Sequence, residues 1–96
     1  MAKYIALINW TEMGVKEIKD SPARADAAKA LAKKLGGEMQ QLYMTMGAYD
    51  LVAILEMPND EAAASFAIQS AGGGYIRTTT LKAFDEASYR KIIGSL

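Results

Sequence analysis

Apolar positions along the chain follow two rhythms. Over residues 3–10 both alternating sets are apolar, Ile5 and Leu7 on one side and Tyr4, Ala6, Ile8 and Trp10 on the other, which reads as a strand covered on both faces. Residues 11–20 hold Gly14 among scattered charges. They are expected to form an irregular loop or short turn, long enough to have a function of its own. Ser21-Pro22 then opens a helix, with Ser as N-cap and Pro at the first helical position. Ala28, Leu31, Ala32 and Leu35 recur at helical spacing until Gly36-Gly37 stops the run.

Residues 38–46 and 50–57 are strand-like, and Gly47-Ala48-Tyr49 between them reads as a hairpin. Leu42, Met44 and Met46 are expected on one face, as are Leu51, Ala53, Leu55 and Met57. Pro58 closes the second run, and Asn59 or Asp60 caps a second helix that packs through Ala62, Ala63, Phe66, Ala67 and Ser70. Gly72-Gly73-Gly74 ends it. Residues 75–84 read as a fourth strand, and residues 85–93 as a short helix with Tyr89, Ile92 and Ile93 inward and Gly94 as its stop.

The order βαββαβ plus a short C-terminal helix is the split βαβ arrangement of ferredoxin-like α+β domains. It implies an antiparallel sheet in the order 4-1-3-2 with both helices on one face. So short a terminal helix is too small to cover four strands, so the apolar second face is expected to meet another copy of the chain.

Composition narrows the chemistry. The 96 residues suit one domain spanning residues 1–96. Eleven basic residues balance 11 acidic ones, so a nucleic-acid or anionic-membrane partner held by bulk charge is not expected. The absence of Cys and His removes disulfides, thiolate sites and the commonest nitrogen ligand, and no metal or cofactor is expected. The apolar N-terminal run is too short for a secretory signal or a membrane span. A cytoplasmic location follows as the expectation.

Topology decides which loops meet. The first strand ends, the first helix starts, the hairpin turns and the fourth strand begins at one end. Trp10, Thr11, Glu12, Arg24, Gly47, Tyr49, Asp50 and Arg77 should therefore gather there. Gly47 is either a turn residue needing positive φ or a point of close approach to a ligand. Tyr49 offers its hydroxyl to a ligand or its ring to an interface. Asp50 needs a partner, which is Arg24, Arg77, a cluster of backbone amides or a ligand ammonium. Arg77 is either a bidentate grip for a carboxylate or a rim residue of a dimer. Glu38, Glu56, Asp60 and Glu61 read as solvated or capping charges, and the triple glycine lacks the strand-then-helix context of a phosphate loop.

Three blocks, Tyr43-Met44-Thr45-Met46-Gly47-Ala48-Tyr49-Asp50-Leu51-Val52, Glu56-Met57-Pro58-Asn59-Asp60-Glu61 and residues 74–84, resemble the GYD-domain proteins. Trp10-Thr11, Gly14, Lys19, Pro22, Arg24 and Gly36-Gly37 extend the resemblance over nearly the whole chain. Ala48 spaces the name motif, and Asn59 stands where Asp is expected. The Thr-x-Gly-x-Tyr-Asp block with a late Thr-x-Thr strand is also similar to the ligand-binding domains of leucine-responsive regulators. That resemblance implies sheet-to-sheet pairing as a dimeric α/β barrel and an effector site near the hairpin, whereas DNA binding is not carried over.

The expectation is a homo-oligomeric module that binds a small molecule, such as an amino acid or other carboxylate metabolite, through Trp10, Thr11, Arg24, Gly47, Tyr49, Asp50 and Arg77. Without His or Cys, catalysis has few candidates, and Asp50 as a general base would carry it. The alternatives are a cofactor-independent oxygenase or isomerase of the dimeric α/β barrel type and a purely structural oligomer.

Overall fold

The computed structural model describes all of residues 1–96. Strand β1 (Ala2–Trp10) is followed by a one-turn helix α1 (Glu12–Lys16), a 3-10 turn (Ile18–Asp20) and helix α2 (Ser21–Lys34). Strands β2 (Glu38–Met44) and β3 (Leu51–Met57), helix α3 (Asp60–Ala71), strand β4 (Ile76–Ala83) and helix α4 (Glu86–Gly94) complete the chain. The sheet order is β2-β3-β1-β4 with antiparallel neighbours, which is the expected 4-1-3-2 order read from the opposite edge. The fold is α+β and ferredoxin-like.

Register explains which residues make the core. Tyr4, Ala6 and Ile8 of β1 face Leu55, Ala53 and Leu51 of β3, and this set points toward the helices. Tyr4, Ala6, Ala53, Leu55 and Met57 are buried with Ile8, Ala32, Ala63 and Phe66. An irregularity between Met39 and Gln41 lets Met39 and Leu42 share the helix side despite their three-residue spacing. The opposite side presents Ile5, Leu7, Val52 and Ile54 with Leu81, which is 45% exposed. No element of the chain lies over this side as a second layer, and the molecule is only 17 Å deep.

Four local expectations change. Residues 11–20 are helical in two short pieces because Thr11 Oγ1 accepts the Gly14 N–H at 3.1 Å and caps the first turn. Gly14 itself lies so close to the Tyr75 carbonyl that a Cβ there would overlap it. Ser21 is the first residue of α2 rather than its cap; the N-cap is Asp20. Strand β2 ends at Met44, and Met46 lies in the connection, 97% exposed. No residue of α4 is buried. Tyr89, Ile92 and Ile93, expected inward, are 57%, 46% and 53% exposed. They form an apolar stripe at i, i+3, i+4 spacing that finds nothing to pack on within one chain. Consistent with that, the radius of gyration is 14.2 Å, against about 12.5 Å for a compact domain of this length.

Candidate ligand site

A cavity of about 310 Å³ separates α2 and α3 above the helix side of the sheet. It arises from small side chains. Ala25, Ala27 and Ala28 of α2 reach too short a distance to fill the space above Ile8, Leu42, Leu51 and Ile76. Its polar groups sit where α2 begins and α3 ends, namely Ser21, Arg24, Gln69 and Ser70, with Tyr75 beside them. Leu31 and Met39 line the apolar remainder.

Each polar group is held by a different part of the fold. Trp10 Nε1 donates to Ser21 Oγ at 3.2 Å, so the last residue of β1 orients the first residue of α2. The Arg24 guanidinium lies over the Tyr75 ring, 4.3 Å from its centroid, and donates from one terminal nitrogen to the Glu17 carbonyl at 3.1 Å. It has no carboxylate partner; the ion pairs are Lys82 with Asp60 and Arg90 with Glu86. The Ser70 hydroxyl is buried without any hydrogen-bond partner, an uncommon state for a polar atom in a folded protein.

The residues expected at the convergent end do gather there, in distinct positions. Asp50 Oδ2 accepts the Trp10 backbone N–H at 2.9 Å, and the Asp50 N–H donates to the Ile8 carbonyl at 2.9 Å. Of the partners considered for Asp50, the structure gives a backbone amide and neither arginine. Thr11 donates from its hydroxyl to the Gly74 carbonyl at 2.6 Å and from its N–H to the Tyr75 carbonyl at 3.0 Å. Arg77 pairs in register with Asn9, which places it on the open side of the sheet, away from the cavity. Gly47 has φ +118° with open space around it, and the Tyr49 carbonyl accepts the Thr45 hydroxyl at 2.5 Å. Of the seven residues expected to bind a ligand, Arg24 alone lines the cavity. Sequence reasoning read Ser70 as helix packing and missed Ser21, Gln69 and Tyr75 as lining. The only signal was a Ser among small residues at the α3 end that meets the start of α2.

A second polar cluster lies at the other end. The Tyr4 hydroxyl donates to the Asp60 carboxylate, which also takes Lys82 Nζ at 3.1 Å. This hydrogen bond, with burial and the negative charge of Asp60, pushes the Tyr4 phenol up to about 12, while Tyr4 and Lys82 hold the Asp60 carboxyl below its usual range. Asp60, expected as a free or capping charge, is thus a tether between α3 and the sheet; the α3 cap is Asn59, whose Oδ1 accepts the Ala62 N–H at 2.9 Å.

The fold and cavity define a ferredoxin-like α+β domain with an apolar interhelical site. The GYD domain profile matches residues 4–93, and the chain belongs to the GYD-domain family. A search of curated protein sequences finds no match. Among solved structures it is similar to a protein of Thermus thermophilus, at 24% identity and TM-score 0.56 over 88% of this chain and 95% of that one. It is also similar to the leucine response regulatory protein of Mycobacterium tuberculosis, at 14% identity and TM-score 0.58; the chain covers 51% of that protein and 88% of itself. A third similar structure is 5-chloro-2-hydroxyhydroquinone dehydrochlorinase of Burkholderia phenoliruptrix bound to 2,5-dihydroxybenzoquinone, at 16% identity and TM-score 0.61, covering 91% of this chain and 97% of that one. These likenesses are of fold. No helix is long and apolar enough to cross a membrane.

Proposed function

We propose that this protein is a small-molecule binding module that works as a homodimer, with its ligand in the cavity between α2 and α3. The observation that carries this reading is the cavity itself, mostly apolar and with its few polar groups converging at one corner, the common build of a ligand pocket. In this reading Arg24 touches the ligand. Trp10, Thr11 and Asp50 hold the corner in shape, while Arg77 borders the open side of the sheet, where a second copy packs. Gly47 and Tyr49 shape the β2–β3 connection at the same end.

Binding is favoured over turnover because the ionisable side chains of the lining are Arg24 and Tyr75 alone, which leaves no carboxylate to act as a general base. The test is a thermal-shift screen of small carboxylates, amino acids and quinone-like aromatics on the wild type and on Ala28→Phe, which fills the cavity. A ligand at a hundredfold excess over its dissociation constant stabilises the fold by about 2.7 kcal/mol. The expected result is a hit that Ala28→Phe abolishes; a hit that survives the filled cavity rejects this site.

A further inference from the structure

Resting on that reading, we infer that the cavity selects a compact apolar monocarboxylate that lacks an α-ammonium group. At roughly 30 Å³ per water-sized group, about 310 Å³ has room for roughly ten heavy atoms. Ile8, Leu31, Leu42, Leu51 and Ile76 suit a branched or aromatic body.

The charge at the polar corner fixes the head group. Arg24 is the only charged residue of the lining, it has no ion pair, and one of its donors is taken by the Glu17 carbonyl. Its remaining donors match the two oxygens of a carboxylate. The first turn of α2, which brings Ser21 and Arg24 to the cavity, is also the helix end of partial positive charge, and it has no side-chain cap.

An amino-acid ammonium finds no anionic partner there, only neutral acceptors such as the side-chain oxygen of Gln69, whose amide nitrogen donates to Ser65 Oγ. The lining contains no Asp or Glu. The Gln69 and Ala71 carbonyls near the end of α3 already accept the Gly72 and Gly74 N–H groups, and the Glu17 carbonyl is taken by Arg24. Burying an ammonium beside the Arg24 cation without a counter-charge is costly, so the ligand class is an acid rather than an amino acid.

Three probes with one carbon skeleton test this by titration calorimetry at neutral pH: isocaproate, leucine and isocaproamide. Isocaproate is expected to bind at least tenfold tighter than either of the others. Arg24→Gln should remove that advantage while leaving isocaproamide unchanged. Leucine binding as tightly as isocaproate, or isocaproamide equalling it, overturns the inference. If either binds and Ala28→Phe abolishes it, the cavity reading survives and only the ligand class fails. If none of the three binds, the inference is overturned; if toluene also leaves the wild type and Ala28→Phe indistinguishable, the cavity reading falls with it.

Discussion

The Asp50 carboxylate accepts the backbone N–H of Trp10 at 2.9 Å, and its own N–H donates to the Ile8 carbonyl at 2.9 Å. Asp50 therefore extends the β1–β3 ladder by one rung, using a side chain where the backbone no longer reaches. The same Trp10 holds Ser21 through its indole, so one carboxylate fixes the strand end on which the start of α2 depends.

Asp50→Ala leaves the half-buried Trp10 amide without its acceptor. A loss of about 1.5 to 3 kcal/mol is expected, the usual range for a hydrogen bond to a charged group. Asp50→Asn keeps an acceptor oxygen and should lose less. Urea melts of the three proteins measure both steps; equal stability of Asp50→Ala and wild type would show that the rung contributes nothing.

The Tyr4 phenol titrates at about 12 in place of its ordinary 10.0. A raised folded-state value favours the protonated form, so the contribution is fully present below pH 10 and is lost as pH rises toward 12. The stability difference between wild type and Tyr4→Phe should shrink across that interval. Tyrosinate absorbance should show one of the five tyrosines ionising near pH 12, and that step should vanish in Tyr4→Phe. Asp60 acts with the opposite sign. Its lowered value makes its contribution present above the ordinary carboxylate range and lost as acid protonates it.

Ser70→Ala replaces a buried hydroxyl that has no partner. Removing such a group relieves a desolvation cost of about 1 kcal/mol, so the ligand-free protein should melt about 4 to 8 °C higher. A lower melting temperature would mean that the hydroxyl is satisfied in solution.

The open side of the sheet and the α4 stripe predict self-association. A stable pair should bury about 1,200 to 2,000 Å² in total. Light scattering at micromolar concentration should give at least a dimer mass for the wild type. Leu81→Glu, which places a charge on that side without touching the core, should give a monomer. A monomeric wild type removes the proposal.

Much of the fold was legible because its signals are local. The alternation of Tyr4, Ala6 and Ile8 with Ile5 and Leu7, the helical spacing from Ala28 to Leu35 and the glycine and proline stops each need only neighbours in the chain. They led to the element order, the sheet order and the end at which loops converge. The short helix of residues 12–16 was not legible, since it depends on a cap at Thr11 and on Gly14 meeting Tyr75 across about sixty residues of chain. The apolar stripe of α4 was legible, but its destination was not, because a stripe states what it needs to cover and not which surface it meets.

The sequence by itself determined the ferredoxin-like topology and the gathering of Trp10, Thr11, Arg24 and Asp50 at one end of the sheet. Only the tertiary structure decided what those residues do there. An alanine-rich helix packs tightly or stands off from its sheet according to how the other helix is placed, so the cavity beside Arg24 and Ser70 exists through the separation of α2 and α3 rather than through any motif. Asp50 likewise had several chemically equal partners in sequence. The register of β3 against β1 set its carboxylate beside the Trp10 amide, and distance, which no local pattern encodes, made the choice.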